Sequence, residues 1–95
     1  MSNSVHFQLK QLENIFQELG YRIRYEKGHF QSGYCLIENR KMVVINKYFD
    51  RQGRIESLKE ILKTLVIDFE QLTVKNIRNF ERYLKTESKL QVLEA

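Results

Sequence analysis

Residues 21–47, YRIRYEKGHFQSGYCLIENRKMVVINK, decide the fold. The block is aromatic and β-branched and is cut by Gly28, Gly33 and Asn39. Tyr21, Ile23 and Tyr25 alternate with Arg22, Arg24 and Glu26, the period-two pattern of a half-solvated antiparallel strand. Lys27–Gly28 reads as a turn and residues 31–38 as a second strand. Asn39–Arg40 suits a tight hairpin turn, since Asn tolerates positive φ. Residues 41–46 form the third strand. Its unbroken Met-Val-Val-Ile asks for cover on both faces, which places it centrally or under a helix.

Helical periodicity brackets this block. Val5, Leu9, Leu12, Phe16 and Leu19, with Ile15 beside them, make one apolar stripe. Asn3 or Ser4 caps its start and Gly20 ends it. Phe7 falls outside the stripe. After the block, Asp50 caps a second helix with Ile55, Leu58, Ile61, Leu62, Leu65 and Val66 on one face. Gly53 near its start weakens the first turn. A break at residues 68–72 precedes a third helix, capped by Thr73, that carries Val74, Ile77, Phe80, Tyr83 and Leu84. The period switch from 3.6 to 2 and back predicts a two-layer α+β domain of order α-β-β-β-α-α. Its three strands form an antiparallel meander with the helices packed on one face. The expected core is Leu9, Leu12, Phe16, Ile23, Val43, Ile45, Leu58, Leu62 and Ile77. Residues 1–95 read as a single domain, with fraying expected at 1–3 and with 87–95 either extending the third helix or fraying.

Composition bounds the function classes. With 42% hydrophobic residues the chain has material for a real core and is not a disordered type. One cysteine excludes an internal disulfide and suits a reducing, cytoplasmic setting. The longest apolar run, Met42–Ile45, is far short of the roughly 20 residues a membrane span needs. Net charge is +4, with the excess in residues 1–54: nine Lys/Arg there against five Asp/Glu, and seven against seven in the remainder.

The residues that chemistry usually needs do not cluster. His6, His29 and Cys35 sit on a helix start, a turn and a strand, without the close pairing of zinc sites. The reading is two surface histidines and a buried structural cysteine, with no catalytic, cofactor or metal residue assigned. Gly28 and Gly33 do not make a phosphate-cradling loop, since no Gly-rich strand-to-helix turn is present.

The order of elements over residues 5–66 resembles the start of the zinc metallopeptidases linked to phage-type repressors and mobile elements. The shared texture is a helix, short strands ending in an apolar strand with Asn, and a leucine-rich helix. In that family the helix after the last strand carries H-E-x-x-H, whose histidines bind zinc. The matching stretch here is Lys59-Glu60-Ile61-Leu62-Lys63. An ammonium has no lone pair and repels a dication, so the resemblance implies an element order without the zinc site. The chain is also similar in look to small uncharacterised bacterial proteins.

Two binding readings remain. Small size, the lack of a catalytic set and surplus aromatics point first to a non-enzymatic module that binds another protein. Phe7, Phe30, Tyr48 and Phe49 lie outside the periodic stripes, as satellite core or as an exposed patch. A three-stranded sheet also leaves two edges for pairing, so a homodimer through a sheet edge or the Phe7/Tyr48/Phe49 region is expected. The alternative is a nucleic-acid-binding accessory protein. Lys75, Arg78, Arg82, Lys85 and Lys89 form one stripe beside the apolar face of the third helix, and Arg22 and Arg24 flank tyrosines on the sheet.

Overall fold

The computed structural model describes the backbone of residues 4–27 and 33–94, and side chains as far as residue 84. Helix α1 spans Val5–Glu18. The Ser4 hydroxyl accepts from the Phe7 N–H at 3.1 Å, satisfying one of the donors a helix start leaves open. Gly20, at φ 88°, turns the chain out of the helix, and Tyr21 N–H then donates to Phe16 C=O at 2.9 Å. Strands β1 (Arg22–Glu26), β2 (Tyr34–Ile37) and β3 (Met42–Asn46) follow. Helix α2 (Arg51–Thr64) and helix α3 (Val74–Glu94) complete an α+β fold.

The sheet is mixed, which corrects the expected antiparallel meander. Its order is β1-β3-β2, with β1 parallel and β2 antiparallel to β3. Alternation along a strand says which face each residue takes and nothing about its neighbours. The most apolar strand takes the middle: Val43, Val44 and Ile45 are all buried, as its unbroken run demands. The link from β2 to β3 is also not the two-residue turn expected. A 3-10 turn at Glu38–Arg40 closes with Lys41 in the left-handed region at φ 50°.

Asp50 caps α2 by accepting from Gly53 N–H at 2.8 Å. Ile55, Leu58, Ile61 and Leu62 of α2 are buried with Leu9, Leu12, Ile15 and Phe16 of α1. Val66, expected on this buried face, is instead fully exposed. The helical backbone ends at Leu65, whose extended conformation (ψ 147°) swings the chain outward. Thr73 caps α3 by accepting from Asn76 N–H at 3.2 Å. Register assigns the two faces of the sheet. Ile23, Tyr25, Tyr34, Leu36, Val43 and Ile45 meet the helices and join the core cluster. Arg22, Arg24, Cys35, Ile37, Met42 and Val44 share the opposite face and stand outside that cluster.

Candidate interaction surface

Strand β1 pairs with β3 on one side, and no described strand pairs with the other. The ladder fixes what that open side offers. Arg22 N–H donates to Lys41 C=O at 2.8 Å and Lys47 N–H donates to Glu26 C=O at 3.0 Å. In a parallel pair, alternate residues of a strand spend both backbone groups on the same neighbour. With the register Arg22↔Met42, Arg24↔Val44 and Glu26↔Asn46, those three residues serve β3. The N–H and C=O of Ile23 and Tyr25 therefore face away from the sheet.

Beside that edge lies a groove of about 340 Å³, lined by Glu13 and Gln17 of α1 and by Tyr21, Arg22, Ile23 and Tyr25. Tyr25 is held firmly in it. Its hydroxyl donates to the Glu13 carboxylate, and the Arg54 guanidinium lies 4.3 Å from its ring centre. Burial, then the bonded Glu13 carboxylate, push the Tyr25 phenol well above its ordinary pKa, against a smaller opposing pull from Arg54. On the other face of the strand Arg24 pairs with Glu26 at 2.7 Å. Arg22 is exposed and has no ion-pair partner among the described residues.

The second edge, on β2, is shorter and partly closed. Tyr34 crosses it to donate to Glu60 of α2 at 2.9 Å, a bond that, with slight burial, raises the Tyr34 pKa. Glu60 is the glutamate of the Lys59–Lys63 stretch, so the carboxylate at the peptidase-like position is engaged by a tyrosine.

Between α1 and α3 runs a seam of amides that sequence reasoning missed. Gln11 donates to Asn79 at 3.4 Å, Asn79 to Asn76 at 3.2 Å and Asn76 to Asn14 at 2.8 Å. Tyr83 donates to Gln11 at one end, and Thr73 N–H donates to Glu18 at 2.8 Å at the other. Asn76 and Asn79 are 2% and 4% exposed. The available signal was their spacing of three on α3, one residue short of Ile77 and Phe80, which carries them along the buried side of the helix.

The sequence-derived candidates separate. Phe7 and Tyr48 are exposed. Phe49 joins the core, its ring against Gly33, while Phe30 lies outside the described residues. Larger apolar exposure sits where no site was expected, in the connection between α2 and α3. There Val66, Phe69 and Val74 are exposed, Phe69 resting edge-on against Phe80 with ring centres 5.3 Å apart. Lys75, Arg78 and Arg82 are exposed on α3, and the side chains of Lys85 and Lys89 lie outside the described residues. Helix α3 packs on α1 and α2, whereas Arg22 and Arg24 stand on the helix-free face of the sheet. The two basic sets therefore do not merge. His6 is exposed and His29 is outside the described residues. Cys35, expected to be buried, is exposed, because it falls on the face that none of the described helices covers. No three of His, Cys, Asp and Glu converge among the described residues, and none of the described helices is long and apolar enough to cross a membrane. No protein-family model matches the chain, and no curated protein or solved structure matches it either.

Proposed function

We propose that the chain is a non-enzymatic binding module that takes up a segment of another polypeptide by strand addition at β1. One observation carries this reading. The N–H and C=O of Ile23 and Tyr25 face an open edge that α1 borders with a groove. An exposed edge is a template for a further strand, whose main-chain hydrogen bonds supply affinity while alternate side chains enter flanking pockets. A reducing cytoplasm suits the exposed thiol of Cys35.

The test compares two substitutions of one residue. Ile23→Pro removes an outward N–H while sparing every bond to β3, a position a strand tolerates. Ile23→Ala removes the side chain and keeps the donor. Tagged wild-type chain and both variants are used to capture partners from a lysate of the native host, with quantitative mass spectrometry. A protein enriched by wild type and Ile23→Ala, and lost with a folded Ile23→Pro, is the expected result. Equal enrichment by all three chains would refute the edge as the site.

A second reading, nucleic-acid binding, is favoured by the exposed Lys75, Arg78 and Arg82 on α3. Its mark is an affinity that falls steeply with salt and drops for all sequences alike in Arg78→Glu, since phosphate contacts position without specifying.

A further inference from the structure

Resting on the strand-addition reading, we infer that the β1 edge accepts a single extended segment of a partner in which acidic and aliphatic residues alternate. A second copy of the chain does not fit there. Three strands about 4.8 Å apart make a sheet roughly 14 Å wide. Two helices side by side, each about 10 Å across with side chains, cover roughly 20 Å. The helical layer thus exceeds the sheet by about one strand width, and the groove shows where: Glu13 and Gln17 of α1 stand over the open side of β1. One added strand completes the layer. The β1 strand of a second copy would bring its own α1 into the same overhang, where there is room for one strand and none for a helix.

The two faces of the sheet differ in chemistry. A strand added to β1 sets alternate side chains beside those of β1 on each face. Toward the helices its neighbours are Tyr21, Ile23 and Tyr25, half-buried and packed against the core. Those positions favour aliphatic residues, which cover the exposed parts of the rings. On the opposite face its neighbours are Arg22 and Arg24, both exposed. Arg22 has no carboxylate partner among the described residues, and Arg24 shares its charge with Glu26 alone. Acidic residues at those positions complete the pairs, and cationic ones are repelled. The recognised pattern is thus acidic and aliphatic in strict alternation. It needs at least four residues, since two register with Ile23 and Tyr25 and their neighbours with Arg22 and Arg24.

The experiment is a fluorescence anisotropy titration of the full chain with capped eight-residue peptides. One alternates Glu with Val, and a second alternates Lys with Val. Expected is saturable binding of the Glu–Val peptide, with the Lys–Val peptide at least tenfold weaker. Arg22→Glu combined with Arg24→Glu should reverse that preference. Ile23→Pro should abolish binding, and Ile23→Ala, the check on folding and packing, should weaken it by less than tenfold. Equal binding of the two peptides overturns the proposal, as does binding that survives Ile23→Pro. Sedimentation of the wild-type chain as a dimer that Ile23→Pro converts to a monomer also overturns it, by giving the edge to a second copy. If host-partner capture depends on Ile23 while the Glu–Val peptide fails to bind, the peptide chemistry falls and the strand-addition reading stands. If capture does not depend on Ile23, both fall.

Discussion

Asn76→Ala measures how α3 is held. The Asn76 side chain is 2% exposed. It donates to Asn14 at 2.8 Å and accepts from Asn79 at 3.2 Å. Truncation removes these two hydrogen bonds, each with a net contribution of about 1 kcal/mol, together with the support Asn76 gives the Glu18 carboxylate. It also strands the Asn79 amide, itself 4% exposed, as a donor without a protein acceptor; such an orphan costs about 1–3 kcal/mol unless water reaches it. Against this, alanine is the better helix former by up to about 0.7 kcal/mol. The balance is a loss of about 2–4 kcal/mol, measured by urea unfolding. Asn79→Leu made in the Asn76→Ala background should then cost less than it does alone, since the orphan disappears. The coupling expected for residues in one network is about 0.5–3 kcal/mol. A loss below about 0.5 kcal/mol for Asn76→Ala, the size seen at ordinary surface sites, would mean that the seam is wet and does not position α3.

Leu12 is 0% exposed in the core that α1 shares with α2, so Leu12→Ala should destabilise by about 2–5 kcal/mol in the same assay. Gly33 sits at φ 84°, and a Cβ there would lie 2.1 Å from Phe49 Cζ. Gly33→Ala combines a left-handed backbone cost of about 1–2 kcal/mol with an overpacking cost of about 1–3 kcal/mol; an unchanged urea midpoint would show that Phe49 does not rest on Gly33. For Glu18, burial raises the carboxyl pKa, but hydrogen bonds from Asn76 and from the backbone and hydroxyl of Thr73 outweigh it, leaving a net lowering. A lowered folded-state pKa stabilises above the unfolded value, which is near 4.5, and the effect is lost as pH falls through the folded value. Wild type should therefore exceed Glu18→Gln in stability at pH 7 and converge with it in acid, and a pH-independent difference would count against the bond to Thr73.

Periodicity was legible where burial is one-sided. The α1 stripe of Leu9, Leu12, Phe16 and Leu19 is buried, and Ser4, Asp50 and Thr73 cap the helices as their side chains suggested. Of the expected core, Ile23 and Ile77 are half-buried and pack against its edge. The unbroken Met-Val-Val-Ile run left β3 either central or under a helix, and the sheet order puts it in the middle, a place that a meander would not give it. What a strand pattern does not encode is its neighbour, so the parallel β1–β3 pairing was invisible. The open edge inherits that gap, because which backbone groups remain free depends on the ladder. The amide seam was hidden for another reason: Asn76 and Asn79 are polar, and a hydrophobicity pattern discards buried groups whose hydrogen bonds are satisfied internally. Exposure of Val66 follows from the helix stopping two residues before it, at Thr64, a boundary that periodicity sets only to within a few residues.

Residue-resolved amide hydrogen exchange of the free chain tests the open β1 edge most directly. Slow exchange is expected at Arg24 and Glu26, whose N–H groups serve β3, and fast exchange at the alternating Ile23 and Tyr25, with protection gained at both when the Glu–Val peptide is added. Protection of Ile23 and Tyr25 in the free monomer, or exchange at Arg24 and Glu26 as fast as at their neighbours, would contradict the open edge.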